Sequence, residues 1–361
     1  MMNPLTIQIA QSIKENGLTG TNHGLMHGNT GLCLFFYQLA KSTNNPEYEQ
    51  LADDLLDKVF ANLSTSSFPD FENGLAGIGL GIEYLVQNGY AEGDTDEILE
   101  EVDNKVFKAL NEETFNSFEL SNGLTGYLFY LISRLKKPMN PNSMAQRINQ
   151  ELLILTINKL DELVTNQFSF IAKEMYFDLF WRFPIMLYGL VQAFELNIYN
   201  EKIRCMVNQW IMTLETFIPS MHINRLYMAT VLILVNTCLP NKRIERQIQI
   251  LLFATDFEVL KTEVDPGAFN IRYGWAGVVW LLQQASEIIP ATYPTHVLIG
   301  STRLKIIAKY KHKLENLQIN NGTANPKQFG LSEGVAGIGL MELLWPGILT
   351  EVYKPSLVWN D

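Results

Sequence analysis

Cysteine is scarce in this sequence. Only three of the 361 residues are cysteines, and Cys33, Cys205 and Cys238 lie far apart without a C-x-x-C pair. This spacing argues against a disulfide framework and against a cysteine-rich zinc site. A chain of this kind is expected in a reducing, cytoplasmic setting.

Basic residues are fewer than acidic residues, and long apolar runs are rare. The 27 lysines and arginines are outnumbered by 38 acidic residues, for a net charge of -11. A nucleic-acid-binding surface needs clustered Lys and Arg, so general nucleic-acid binding is not expected, although a local basic groove stays open. The longest apolar run, about residues 226–239, contains threonine and asparagine and is too short to span a bilayer. No membrane span is predicted.

Signals for β-strands and for common catalytic motifs are sparse. Sustained alternating runs bounded by hairpin dipeptides do not occur, which argues against a β fold. A Walker loop, a Rossmann fingerprint, an H-E-x-x-H element and a Ser-His-Asp arrangement are not recognisable. Nucleotide-binding, hydride-transfer and protease functions therefore have no support in the sequence.

Glycine, in contrast, recurs in register. Five segments share the pattern G-x-x-G before a mostly apolar run, and their first glycines are Gly28, Gly74, Gly123, Gly274 and Gly334. Successive copies lie about 45 to 60 residues apart, except for one gap of about 150. A glycine in a helix costs about 0.5 to 1 kcal/mol relative to alanine. The repeated pair therefore predicts helix starts that are crowded around the hub of a ring.

The long gap holds two degenerate copies of the same unit. Apolar helical runs begin there at Phe177 and Met221; the first keeps Gly189 at the second glycine position, with Met186 at the first, and the second keeps neither glycine. Amphipathic segments, such as those at residues 46–63, 143–164 and 242–260, are predicted outer helices. The pattern predicts an all-α fold of about seven helical hairpins around a common centre, in a single domain over residues 1–361.

The repeated helix starts, their sevenfold count and the chain length together resemble the lanthionine synthetase C-like (LanC-like) family. The resemblance spans nearly the whole chain and implies an α/α toroid. In active members of the family, it also implies an enzyme that adds cysteine thiols of a precursor peptide to dehydrated Ser or Thr, closing thioether rings.

The resemblance further implies that the family's zinc ligands are replaced here. Active members hold zinc with a cysteine in a W-C-Y-G element and with Cys-His in a C-H-G element; the matching positions are Arg272, Ser332 and Glu333. Zinc lowers the pKa of the peptide thiol, and these three side chains do not make a tetrahedral zinc site. No metal or other cofactor is therefore predicted. Arg272 and Glu333 are hypothesised to form a guanidinium-carboxylate pair in its place, with either a structural or a binding role.

Two further family positions bear on catalysis. Glu119 occupies the place of the family's aspartate before the third repeat and is a candidate acid or orienting group. Ile185 is aligned with the family's histidine before the fourth repeat, so that group is predicted to be absent. Asp70 and Glu72 are interpreted as charges at a helix start. The tentative catalytic set is thus Glu119, Glu333 and Arg272.

Three functions stay open at this point. The first is a zinc-free accessory protein that binds a precursor peptide or a peptide-modifying enzyme, with an acidic balance that suits a basic or neutral peptide. The second is a metal-free enzyme that uses carboxylates at the rim, either a thioether cyclase or a glycosidase-like hydrolase. The third is an interaction scaffold, and whether the protein is an enzyme is left undecided. Candidate peptide-binding residues are Tyr273, Trp275, Trp181 and His27. Aromatic residues beside glycines, including Tyr127, are more often part of a core, and a histidine in the position of His27 is more often a capping or packing residue.

Overall fold

The computed structural model describes residues 4–18, 20, 22–63, 69–112, 117–137, 143–171, 173–174, 176–315 and 326–344. Across these ranges the regular secondary structure is helical, and no β-strand is present. The helices are α1 (Pro4–Asn16), α2 (Asn29–Thr43), α3 (Pro46–Leu63), α4 (Leu75–Gln87), α5 (Thr95–Ile98), α6 (Glu100–Glu112), α7 (Leu124–Leu135), α8 (Met144–Ile171), α9 (Arg182–Glu195), α10 (Asn200–Leu214), α11 (His222–Cys238), α12 (Lys242–Phe253), α13 (Phe257–Leu260), α14 (Trp275–Ile288), α15 (Thr295–Glu315) and α16 (Val335–Leu344), with a 3₁₀ turn at Pro326–Gln328 before the last.

The helices form a closed ring of hairpins. The inner helices α2, α4, α7, α9, α11 and α14 contact one another in that order, and α16 packs against α2. Each inner helix has an outer partner, and the partner of α16 is α1, so the first and last described helices meet. The all-α toroid of seven hairpins is confirmed. The prediction of one domain over residues 1–361 extends beyond the described residues and stays a prediction.

The second glycine of each pair is explained by a close backbone contact. A Cβ atom there would meet the carbonyl oxygen of the residue six positions earlier, in the segment that leads into the same helix. The distances would be 2.2 Å for Gly31, 1.9 Å for Gly77, 2.5 Å for Gly126, 1.8 Å for Gly277 and 1.9 Å for Gly337. The crowding predicted from the glycines is therefore real, but at these positions it arises within each repeat and not only between repeats.

The predicted register of the fourth repeat was wrong. Helix α9 begins at Arg182 with Trp181 as its N-cap, so Trp181 and Pro184 occupy the two glycine positions, and not Met186 and Gly189. Gly189 instead packs on α7, where its Cβ would lie 2.7 Å from a side-chain carbon of Leu128. The apolar run continues upstream of α9 without a helix-start signal, which is why sequence periodicity placed the start too late.

The fifth repeat begins without glycine, and acidic side chains accept hydrogen bonds from the free N–H groups at the start of its inner helix. Both carboxylate oxygens of Glu263 accept hydrogen bonds from the first two backbone N–H groups of α11, at His222 and Ile223, with distances of 2.8 and 2.9 Å. Glu174 accepts from the side chain of Asn224 at 2.7 Å. Anions at this end also match the helix dipole. None of the described helices, the apolar α11 included, combines the length and hydropathy needed to cross a bilayer.

Candidate functional site

An open ring of five backbone hydrogen bonds lies at the hub. It joins the residues that stand two positions before the N-caps of the inner helices, with α11 left out. The N–H groups donate from Met26 to Glu72 (3.0 Å), from Glu72 to Ser121 (3.0 Å), from Leu179 to Arg272 (2.9 Å), from Arg272 to Ser332 (3.0 Å) and from Ser332 to Met26 (3.3 Å). A helical fold of seven repeats thus carries a hub of six segments, and among these described residues the backbone bonds are interrupted between Ser121 and Leu179. The ring brings Glu72, Arg272, Ser332 and their neighbours to one place.

Arg272 is the central charged group of this hub. Its Nε and Nη2 atoms donate to the two carboxylate oxygens of Asp178, at 3.1 and 3.3 Å. The guanidinium also lies over the rings of Phe180 and Tyr273, at 5.0 and 4.7 Å from their centroids. A bidentate contact combined with stacking fixes both the position and the plane of the guanidinium.

The hypothesised pair of Arg272 with Glu333 is present but secondary. Nη1 of Arg272 lies 3.7 Å from Oε1 of Glu333 and 3.8 Å from Oε1 of Glu72, which is too long for strong hydrogen bonds. Asp178 is the closer partner, and sequence analysis missed it. A correct register for the fourth repeat would have placed Asp178 three residues before the N-cap, next to the hub, and is the signal that could have found it.

His27 joins three repeats at the hub. Its Nε2 atom lies 2.6 Å from Oε1 of Glu72 and 3.4 Å from Oγ of Ser332. A serine-histidine-acid triad needs the hydroxyl and the carboxylate on different ring nitrogens. Both partners are on Nε2 here, and Nδ1 is buried without a hydrogen-bond partner. The arrangement therefore does not support nucleophilic catalysis by Ser332.

The residues that sequence analysis predicts at the family's zinc positions, Arg272, Ser332 and Glu333, do not fit a zinc ion. Arg272 has no lone pair to offer a cation, and its charge occupies the space beside Glu333. Among the described residues, one group has the composition of a metal site: ligand atoms of His27, Glu72 and Glu333 lie within 4.8 Å of one another. A metal on Nε2 of His27 would force the ring proton onto Nδ1, which is buried without an acceptor. The guanidinium beside both carboxylates makes a second cation there still less favourable.

The hub shifts the pKa values of its acids in opposite directions. The hydrogen bond with His27, helped by Ser121 and Arg272, lowers the pKa of Glu72 to about 2, against the burial that raises it. Burial raises the pKa of Asp178 despite the charge and hydrogen bonds of Arg272. Glu72 is therefore a firmly ionised group at neutral pH, whereas Asp178 is held as an anion at some cost.

Acid titration should reveal the contribution of Glu72. Because the pKa of Glu72 is depressed in the folded state, its contribution to the free energy of unfolding is complete above its ordinary pKa of 4.5 and is lost as the pH falls toward about 2. We expect Glu72→Gln to flatten the loss of stability over this window, measured by urea unfolding at a series of pH values. Asp178→Asn should do the reverse, because a raised pKa adds stability as the pH falls. A Glu72→Gln profile parallel to wild type contradicts this assignment.

A pocket of about 300 Å³ opens beside Arg272, between the third and fourth repeats. It is lined by Glu119, Ser121, Asn122, Lys173, Tyr176, Asp178, Phe180, Trp181, Arg182 and Arg272. Glu119 forms an ion pair with Arg182 across this junction. Tyr176, 54% exposed, meets the ring of Tyr273 edge-on at the rim, with centroids 5.5 Å apart. The pocket is large enough for one or two side chains of a ligand.

The structure separates the predicted site residues into two groups. Glu119 and Arg272 line the pocket, and Tyr273 and Glu333 contact Arg272. Trp275 and His27 are buried, with exposed fractions of 2% and 4%, so a peptide cannot reach them without displacing their neighbours. Trp181 is also largely buried and offers the pocket only part of its ring. Tyr127 belongs to the core.

The remaining acidic candidates have mixed roles. Asp70 accepts a hydrogen bond from the backbone N–H of Asn73 at 2.9 Å, which agrees with its interpretation as a group at a helix start. Glu72, interpreted in the same way, instead binds His27 and faces Arg272. The family's histidine position, aligned with Ile185 from sequence, falls on Phe180 once α9 is seen to start at Arg182. The absence of that histidine is unchanged by the new alignment.

Known proteins resemble the chain in two ways. The family profile described as lanthionine synthetase C-like protein matches residues 20–176. In fold, the chain is similar to a solved structure of nisin cyclase, with a TM-score of 0.66 over 96% of each chain and 15% sequence identity. No curated protein matches the chain in sequence. The resemblance to the lanthionine synthetase C-like family is therefore confirmed, in sequence over residues 20–176 and in fold over nearly the whole chain.

Proposed function

We propose that this protein binds a ribosomally made precursor peptide during its maturation, in an accessory role that does not use zinc. The observation that carries the proposal is the hub itself. A guanidinium held by Asp178 and stacked on two aromatic rings stands where the family pattern requires a metal ligand, next to an open pocket. The site is built to hold a ligand without a Lewis acid.

The pocket lining favours peptide binding over catalysis. Tyr176 and Tyr273 supply an exposed aromatic edge of the kind that binds side chains at little entropic cost. The carboxylates that a metal-free enzyme would use are engaged, since Glu119 pairs with Arg182 and Asp178 pairs with Arg272. The scaffold alternative would leave the pocket without a role.

Zinc content tests the metal-free part of the proposal. We expect purified wild-type protein to hold no stoichiometric zinc by elemental analysis, before and after incubation with Zn²⁺. The triple variant Arg272→Cys, Ser332→Cys and Glu333→His restores the family's ligand types and should gain one zinc, because the backbone bond between residues 272 and 332 already brings the positions together. Zinc bound to wild type and lost in His27→Ala would contradict the proposal and point to His27, Glu72 and Glu333 as ligands.

Peptide binding without ring closure tests the rest. The probe is a synthetic peptide that carries a dehydroalanine and a cysteine, labelled with a dye for fluorescence anisotropy. We expect binding to wild type with no loss of free thiol over hours, and weaker binding to Tyr176→Ala, with the exposed Phe253→Ala as the matched control. If the peptide loses free thiol faster with the protein than without it, the proposal is wrong and the protein is a thioether cyclase.

A further inference from the structure

We propose that the pocket between the third and fourth repeats binds a carboxylate of the peptide, either an acidic side chain or a C-terminus. The inference rests on the proposed function and deepens it by naming the chemical class of the ligand group. It also departs from the sequence-based expectation of a basic or neutral peptide, which followed from average charge alone.

Three cationic side chains line the pocket of an otherwise acidic chain. The chain carries a net charge of -11. Among the residues that line the pocket, however, Lys173, Arg182 and Arg272 outnumber Glu119 and Asp178 by one positive charge. The charges nearest a bound group govern its attraction more than the average over the whole surface.

Lys173 is the cation available to a ligand. Arg272 is neutralised by Asp178, and Arg182 by Glu119. Lys173 is exposed and makes no ion pair within 4.0 Å among the residues that the structure describes. A carboxylate in the pocket would therefore gain an ion pair with Lys173 without breaking an existing one.

Neutral groups of the pocket complete the recognition of a carboxylate. Ser121 and Asn122 add polar groups to the lining of the pocket, and Phe180 and Tyr176 add aromatic surface. A carboxylate next to an aliphatic or aromatic segment, as in glutamate or at a peptide C-terminus, matches this combination of charged, polar and apolar walls.

The test compares peptides that differ only in one carboxylate. Dye-labelled peptides with a single Glu or Gln, each with a free or an amidated C-terminus, are titrated with the full chain by fluorescence anisotropy. We expect the carboxylate peptides to bind on the order of fivefold tighter or more, with the advantage declining as salt rises. The comparison of side chain with C-terminus identifies the source of the carboxylate.

Three variants make the test specific to the pocket. Lys173→Gln should remove most of the carboxylate advantage, whereas Lys305→Gln, on outer helix α15, should leave it unchanged. Glu119→Gln removes a negative charge from the pocket and should tighten binding of the carboxylate peptides, a gain that misfolding cannot imitate. Equal binding of acid and amide peptides would overturn this inference and leave the proposed function standing. Failure of every peptide to bind would overturn both.

Discussion

Replacing Gly277 with alanine is expected to lower the free energy of unfolding by about 3 kcal/mol or more. The added Cβ atom at this position would lie 1.8 Å from the carbonyl oxygen of Ile271 and 2.9 Å from its carbonyl carbon. These are backbone atoms next to Arg272, whose N–H donates to Ser332. Relief of the clash must therefore move the hub segment itself and break the ring of backbone bonds.

Gly300→Ala is the matched control for this prediction. Gly300 lies in α15, and a Cβ atom there would meet nothing within 4 Å. Alanine at this position should raise the free energy of unfolding by about 0.5 to 1 kcal/mol, because it lowers the backbone entropy of the unfolded chain and favours the helix. Both variants are measured by urea unfolding followed by circular dichroism. Equal urea midpoints for the two variants would contradict the prediction, because they would show that the hub segment can move away from the added Cβ atom with little loss of unfolding free energy.

The second large effect is expected at Arg134, a fully buried arginine in α7. Its guanidinium donates to Glu83 of α4 at 2.8 Å and to Asp103 of α6 at 2.8 and 3.2 Å, and it contacts Asp96 of α5 at 3.1 Å. Tyr130 also donates to Asp103, at 2.6 Å. Arg134→Met should cost about 3–5 kcal/mol, because it leaves buried carboxylates without a cation.

Removal of the orphaned charges should rescue part of this loss. In Arg134→Met with Glu83→Gln and Asp103→Asn, the buried anions are gone, and we expect the free energy of unfolding to recover relative to the single variant. Lys305→Met breaks the exposed pair with Glu258 and should change stability by less than about 1 kcal/mol. If Arg134→Met is as stable as Lys305→Met, the buried ion-pair network makes no net contribution to the free energy of unfolding.

The fold was predictable from particular residues. Five glycine pairs in register marked the starts of α2, α4, α7, α14 and α16, because only glycine tolerates the approach of the leading segment's carbonyl. Apolar runs longer than a strand marked α9 and α11 as inner helices as well. The start of α9 was misplaced, because its N-cap is Trp181 and no glycine marks it. The start of α11 was not signalled, because the acids that cap it, Glu174 and Glu263, lie elsewhere in the chain.

The candidate site was predictable only in part. Arg272, Glu333 and Glu119 followed from the aligned glycines, since each stands at a set distance before one of them. Asp178 and Tyr176 did not, because the fourth repeat has lost both glycines. Burial of His27 and Trp275 was already the favoured alternative to a binding role, but the sequence could not decide it, because residues beside a helix start face either the hub or the core.

The sequence by itself determined the architecture and predicted the replacement of the family's zinc ligands by Arg272, Ser332 and Glu333. Local rules are sufficient for both, since helix periodicity, glycine spacing and ligand chemistry act over a few residues. Tertiary structure alone decided which charges meet. Asp178 and Arg272 are separated by 94 residues and come together because the hub omits the fifth repeat. The grouping of Lys173, Arg182 and Arg272 in one pocket of an acidic chain likewise follows from tertiary structure, because net charge is a sum over the sequence whereas a binding site depends on distances.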